Sequence, residues 1–426
     1  MARRLEVWLL ARHVGTLTQV DGRLEFRYAA EWLTGSAPIA LSRSLPLQAE
    51  AFDDRASRPF FAGLLPEADK RRLVAQALQV SHQNDFALLD GIGGECAGAV
   101  TLLEAGKLPS MPSDTGDVRW LSDDEVLRLL DEMPRRPMLA GEQGLRLSLA
   151  GAQDKLPVLV DGERIGLPLN GAPSSHILKP AIPLLDDSVF NEGFCMALGA
   201  ASKLGVAPTR IRQIADRAFL LVARYDRQHA GHGLPQRLHQ EDFCQALGVA
   251  PETKYQNEGG PGFAQCFALV RQATRPNAPQ VLRLLDAAIF NALIGNHDAH
   301  AKNFSLLYTD RGPILAPFYD LIATAVYPKL TDKMAMKLGG KYKFNELHPR
   351  HWARFAEEAG LSVAPARQRV LQLARQLPGT ARQLQTASDS PFRGHPVVER
   401  IVALIEQRAT LTIRRLSESG ADVASD

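Results

Sequence analysis

The feature that most constrains this chain is a change of hydrophobic period near its middle. Up to Tyr225, many of its apolar residues come in short runs bounded by turn formers: Leu5 to Leu10, Ala97 to Leu103, Leu156 to Val160, His176 to Leu178 and Ala218 to Ala223. Runs that short fit buried strands. After Asp226 the spacing turns mostly helical, over Val281 to Ile294, His351 to Ala359, Ala366 to Leu377 and Val397 to Leu416. One layered core cannot satisfy both periods, so the pattern predicts sheets with a few helices (Arg71 to Val80, Asn191 to Leu204) followed by an α-rich lobe. At 426 residues the chain also exceeds one ordinary core.

The turn formers of Lys107-Leu-Pro-Ser-Met-Pro-Ser-Asp-Thr-Gly116 read as a surface linker. The expected division is 1–106 as an amino-terminal α+β subdomain, 107–138 as linker and connecting helix, 139–226 as a small lobe, and 227–426 as a helical large lobe. The tail after Ser417 is expected to fray. Basic and acidic residues nearly balance, 49 against 47 for a net charge of +2, so any binding to nucleic acid has to come from a local patch. Cys96, Cys195, Cys244 and Cys266 form no C-x-x-C pair, which argues for reduced structural thiols over a zinc ribbon or redox dithiol. Val7 to Ala11 is too short for a signal-peptide core, and no apolar run approaches bilayer length, so the expected location is the cytoplasm, away from membranes.

The chemistry concentrates in Gly295-Asn-His-Asp-Ala-His-Ala-Lys-Asn-Phe304, a polar loop between a helical stretch and the strand-like Phe304 to Tyr308. Phosphoryl transfer needs a carboxylate to orient the attacking hydroxyl and oxygen ligands to hold Mg²⁺ against the phosphates. Asp298 and Asn303, five positions apart with His297 before the Asp, have the spacing of the protein-kinase catalytic loop. In Pro317-Phe-Tyr-Asp320, after strand-like Ile314 to Ala316, Asp320 is the candidate second metal ligand. The pair His297 and His300 also permits a transition-metal site, although a His-Asp phosphohydrolase would need further helical histidines, and neither His239 nor His176 has helpful spacing. Upstream, the small residues of Leu147 to Lys155 let backbone N–H groups approach phosphate oxygens, or simply make a β-turn. Lys179, on an apolar strand, is costly there unless it meets an anion, and Glu192 on the following helix is a candidate partner.

In this order the motifs resemble the HipA family of bacterial serine/threonine kinases, the toxins of type II toxin-antitoxin modules. The matching stretches are Ser148 to Lys155, His176 to Pro180, Arg224-Tyr-Asp-Arg227, Gln240-Glu-Asp242, Lys254-Tyr255 with Gly259-Gly-Pro-Gly262, Asp298 to Ser305 and Phe318-Tyr-Asp320. Ala30 to Leu33, Ser44 to Leu47, Leu64 to Pro66 and Gly98 to Leu102 extend the likeness to the amino-terminal part. The resemblance implies an α+β fold: a small α/β amino-terminal subdomain, then a bilobal kinase-like core with an all-α carboxy-terminal lobe. It implies ATP and Mg²⁺, with Asp298 as catalytic base and Asn303 and Asp320 as metal ligands. Nucleotide would be held by Ala150, Gly151, Ala152, Gln153, Asp154, Lys155 and Lys179, with Ala223, Arg224 and Tyr225 at the adenine. His300, Ala301, Lys302, Asn303, Tyr319 and Asp320 would complete the pocket. Ser148 matches the serine this family autophosphorylates to silence itself. Implied partners are a dimeric HipB-like helix-turn-helix antitoxin, operator DNA through that complex, and a protein substrate such as glutamyl-tRNA synthetase. Two departures stand out: Ala223 where the family is often acidic, and His297 and Ala299 flanking Asp298. The basic stretch Lys337, Lys341, Lys343, Arg350 and Arg354 offers Lys341 and Lys343 as candidate DNA contacts, or a solvated face. A catalytically weak co-repressor that binds antitoxin and DNA is the alternative, against which the intact Lys179, Asp298, Asn303 and Asp320 argue.

Overall fold

The computed structural model describes residues 3–109, 117–228 and 234–421, so most of the expected linker, from Ser110 to Gly116, lies outside the described residues. The chain forms two compact units, one built from residues 1–180, 212–252 and 305–311, the other from 181–211, 253–304 and 312–426.

In the first unit, strand Arg3–Leu9 pairs antiparallel with Arg12–Val20 on one side and Val100–Glu104 on the other, and Arg23–Tyr28 completes a four-stranded sheet. Leu5, Val7 and Leu9 share one face because side chains alternate along a strand, and they enter a core with Phe26, Phe60, Phe61 and Leu89. Helices Asp54–Ala62, Ala68–Ala77 and Asp85–Ile92 belong to this part of the unit. A six-stranded sheet runs in the order Val118–Leu121, Arg164–Pro168, Leu156–Asp161, His176–Pro180, Arg217–Ala223 and Thr209–Ile214, the last with only its second half in this unit. Its apolar face packs Leu156, Val158, Leu178, Phe219 and Leu221 with Val126, Leu129 and Leu130 of helix Asp123–Glu132. That helix starts where Ser122 and Glu125 cap each other's backbone amides.

The second unit is mostly helical: Ser188–Ala201, Phe263–Ala273, Asn277–Ile294, Pro349–Glu358, Val363–Thr386 and Pro396–Ala421. Phe263, Phe267 and Phe355 pack edge-on or tilted, with ring centroids 5.3 to 6.3 Å apart, and Phe304 joins Phe263 to Phe318. Through Phe304 these rings anchor the end of the polar loop. The carboxy-terminal helix reaches Ala421, and the rest of the tail expected to fray, 422–426, lies outside the described residues; Leu416 is buried and its carbonyl accepts from the Arg367 guanidinium. All four cysteines are buried, and among the described residues none forms a disulfide. Among the described residues no helix is long and apolar enough to cross a membrane.

Candidate active site

Helix Asn277–Ile294 delivers the polar loop. It ends at Gly295, whose φ of 79° is left-handed and whose amide bonds back to the Asn291 carbonyl. A side chain at Gly295 would meet Ala325 and Leu404 at 2.7 Å, so the loop leaves the helix through a gap that only glycine fits. The next residue, Asn296, is buried and ties three strands of chain together. Its Nδ2 donates to Asn291 Oδ1 at 2.9 Å and to the Asp320 carbonyl at 3.3 Å, while its Oδ1 accepts from the Asp298 amide at 3.1 Å. Asn296 thus fixes the backbone of both candidate carboxylates. It went unread in the sequence because an Asn after a helix-ending glycine looks like any turn residue.

His297 locks the loop from the other side. Its amide donates to Thr324 Oγ1, and its buried ring lies between the Thr331 carbonyl at 2.9 Å and the Arg408 guanidinium at 3.0 Å. Because Arg408 can only donate, Nε2 accepts and Nδ1 carries the hydrogen that Thr331 receives. Burial, opposed by the Thr331 hydrogen bond and reinforced by Arg408, lowers the ring's pKa and keeps it neutral. Both nitrogens are committed, which leaves His297 no lone pair for a transition metal. Among the described residues no group of three or more His, Cys, Asp or Glu side chains is placed to hold one.

Asp298 itself is exposed, and one carboxylate oxygen, Oδ1, accepts from the Tyr255 hydroxyl at 2.7 Å. Tyr255 also meets His300 edge-on, with ring centroids 5.2 Å apart. His300 is buried, and its Nδ1 finds no hydrogen-bond partner among the described residues. Burial and the nearby Lys254 and Lys302 hold its pKa well below the usual imidazole range, so it is neutral. Asn303 Nδ2 leans on the Asp298 carbonyl at 3.4 Å, leaving Oδ1 as the atom to face a cation, and Tyr319 donates to the Lys302 carbonyl at 2.7 Å. Ala301 and Lys302 are buried, and Asp320 sits at a left-handed φ of 53°. The second unit therefore brings Asp298, His300 to Asn303, Tyr319 and Asp320 into one cross-braced loop system. A carboxylate and a carboxamide oxygen are hard ligands that suit Mg²⁺, which usually takes few protein ligands and completes its shell with water and phosphate oxygens.

The other predicted nucleotide residues lie in the first unit. Gly151 has a φ of 111°, pairs with Pro66 in a short parallel bridge, and accepts from the Glu67 amide. A side chain there would come within 2.6 Å of Lys155 Nζ, which bonds the Ala150 carbonyl at 2.8 Å. Asp154 is buried against Lys70 at 2.7 Å, while Ala152 is exposed and Gln153 partly so. Ser148 has no exposed surface; its amide bonds the Glu95 carbonyl and its hydroxyl donates to the Leu64 carbonyl at 2.7 Å. Lys179 is buried opposite Leu220, and Glu192 is buried on its helix in the second unit.

Ala223 closes strand Arg217–Ala223, the Arg224 amide bonds the Ser175 carbonyl, and Tyr225 donates to Gln240 Oε1 at 2.7 Å. The Arg224 side chain belongs to a buried ionic cluster. Glu95 accepts from Arg224 at 3.1 Å and from Arg227 at 2.7 Å, and it also pairs with Arg237; Arg224 and Arg227 both reach Asp226. Burial alone would push the Glu95 carboxyl up, but Arg227, Arg237 and Arg224 together hold it well below the usual range. Lys341 pairs with Glu346 at 3.1 Å and Lys343 with Asp332 at 2.7 Å, on the surface.

A family model described as the HipA-like C-terminal domain matches residues 147–381, and one described as the HipA N-terminal domain matches residues 5–103. The chain is 49% identical over 397 residues to a protein of Sinorhizobium fredii named as a candidate kinase, Y4mE, covering 91% of this chain and 93% of that one. It is 29% identical over 390 residues to the serine/threonine-protein kinase toxin HipA of Shewanella oneidensis, covering 87% of each. Its fold matches the Shewanella oneidensis toxin-antitoxin complex of HipA, HipB and operator DNA with a TM-score of 0.80 and 26% identity, over 97% of both chains. Fold and sequence together define the mixed α/β architecture of HipA-like kinase toxins. The chain belongs to the HipA family.

Proposed function

We propose that this protein is an ATP-dependent serine/threonine protein kinase acting as the toxin of a HipA–HipB-type module in the cytoplasm. The observation that carries the reading is Asp298: an exposed carboxylate whose backbone is immobilised by Asn296 and His297 and whose Oδ1 is oriented by Tyr255. A carboxylate so placed accepts the proton of an attacking hydroxyl, and its rigidity supplies the positioning that phosphoryl transfer depends on. Asn303 and Asp320 would hold Mg²⁺, which neutralises phosphate charge when bound. Lys179 and the segment Ala150 to Lys155 would take the phosphates, and the backbone of Ala223 to Tyr225 the adenine.

In this reading Ser148 is the self-inactivation site. A dianion cannot occupy its buried place beside the Leu64 carbonyl, so phosphorylation would hold the segment out of the nucleotide site. The substrate is a translation component, with glutamyl-tRNA synthetase the first to assay. The partners are a HipB-like antitoxin dimer and, through it, operator DNA.

Incubation of the full chain with Mg²⁺ and γ-labelled ATP, beside Asp298→Ala, tests the core claim. Label on Ser148 in the wild type alone is the expected result; equal incorporation by the variant removes Asp298 from its role.

A further inference from the structure

The Gly259-Gly-Pro-Gly262 motif has no part in the phosphoryl-transfer chemistry, yet Gly260 is sterically and Gly259 conformationally required, while Gly262 packs against the Gln256 side chain. A side chain at Gly260 would lie 2.2 Å from the Thr253 carbonyl, one at Gly262 2.5 Å from the Gln256 amide, and Gly259 has a φ of 95°. What this tight turn builds is the wall of a cavity of about 410 Å³ in the second unit. Gln256, Gly262, Phe263 and Gln265 line one part of it, and Lys337, Gly340 and Arg354 another.

The cavity has a definite electrostatic character. Lys337 is half-buried, its amide is fixed by Gln256 Oε1 at 2.7 Å, and its ammonium lies 4.9 Å from the Tyr342 ring centroid. Among the described residues that ammonium has no carboxylate partner, in contrast to Lys341 and Lys343 a few positions on. A cation withdrawn partly from water without a counter-charge is costly, and an anion entering the cavity would relieve the cost. Gly340, with a φ of 88°, lets the Arg354 guanidinium lie over the turn, 3.1 Å from where a side chain would stand. Glu358 pairs with Arg354 at 3.1 Å and also lines the cavity, so two cations face one carboxylate. The excess of one positive charge favours an anionic group there. The space exceeds what a bare oxyanion fills, and Phe263 with the Gln256 and Gln265 amides suits an uncharged, hydroxylated body.

We propose that this cavity binds a small organic monophosphate, its phosphate between Lys337 and Arg354. The claim is independent of the kinase reading, because it concerns binding without ATP.

Calorimetric titration of the full chain with glycerol 3-phosphate, inorganic phosphate and glycerol tests it. Saturable binding of glycerol 3-phosphate, weaker binding of inorganic phosphate and none of glycerol are expected. Lys337→Met and Arg354→Ala should each weaken binding about tenfold or more, the loss of one charge-assisted contact, with unchanged circular dichroism. Lys343→Ala should bind as the wild type does. Lys179→Ala, which alters the proposed nucleotide site, should retain binding. No saturable binding by the wild type, or equal affinity in Lys337→Met, overturns the proposal. Loss of binding in Lys179→Ala alone also overturns it by placing the phosphate at the nucleotide site.

Discussion

Glu95 and Asp298 are both carboxylates held by polar networks, and the chain treats them in opposite ways. Glu95 is internal to the first unit and surrounded by three arginines, so its charge is consumed in holding distant segments together. Asp298 in the second unit keeps its side chain exposed while the network grips its backbone. The structural charge is buried and matched; the charge proposed for chemistry is left open, with its position fixed. The two should therefore fail differently when altered.

The largest effect expected is on activity. Asp298→Asn should slow phosphoryl transfer about 10²- to 10⁴-fold, the usual contribution of a positioned base, with an unchanged melting temperature. A large loss of stability in that variant would erase the contrast. Glu95→Gln should do the reverse, costing about 3–5 kcal/mol in urea unfolding because the buried arginines lose their counter-charge. A cost below about 1 kcal/mol would show that the cluster is not structural.

Glu241 sharpens the comparison, being a buried acid without a salt-bridge partner among the described residues. It accepts from Ser42 Oγ and the Tyr308 hydroxyl at 2.5 Å and from the Arg43 amide at 3.2 Å, yet burial outweighs these bonds and pushes its carboxyl from 4.5 up to about 7. An acid whose folded pKa exceeds its unfolded value keeps its proton longer when folded, so stability falls as pH rises through that window. Relative to Glu241→Gln, the wild type should lose up to about 3 kcal/mol between pH 4.5 and 7. Parallel pH profiles of stability would show that Glu241 is not so perturbed. Asn296→Ala should cost about 1–2 kcal/mol and lower both the activity and its dependence on Mg²⁺, since the one side chain holds the Asp298 amide and the Asp320 carbonyl. The smallest effect belongs to Lys341→Ala with Lys343→Ala, whose exposed pairs should leave melting unchanged. If these lysines touch DNA, the double variant should flatten the salt dependence of the toxin–antitoxin–operator complex; an unchanged slope removes them.

Much of the second unit's loop was legible in the sequence because its cues are local. A helical apolar period, a glycine stop, and an Asp-to-Asn spacing all lie within a few turns of chain. Tyr255 stood out within the matched Lys254-Tyr255 stretch, but its pairing with Asp298 did not: it stands 43 positions away, and only the folded chain brings the hydroxyl to the carboxylate. Still longer separations hid the Glu95 cluster, whose arginines at 224, 227 and 237 stand 129, 132 and 142 positions away, the last two on the paired strands Arg227–Gln228 and Gln236–Arg237. The Arg224-Tyr-Asp-Arg227 motif was visible, but nothing in its spacing tells that both guanidinium groups turn inward. Strand positions fared well where runs were continuous, as at Leu156–Asp161 and His176–Pro180. The strand Arg12–Val20 alternates with Arg, His, Thr and Gln and presented no apolar run to detect.

Ser148 has a kinetic consequence. A hydroxyl with no exposed surface, already donating to a backbone carbonyl, reacts only in the fraction of molecules whose segment has swung away. Were Ser148 phosphorylated as proposed, its modification rate would be the intrinsic rate multiplied by that fraction. Loosening the Leu64 or Gly151 anchor would set the timer faster without touching a single reacting atom.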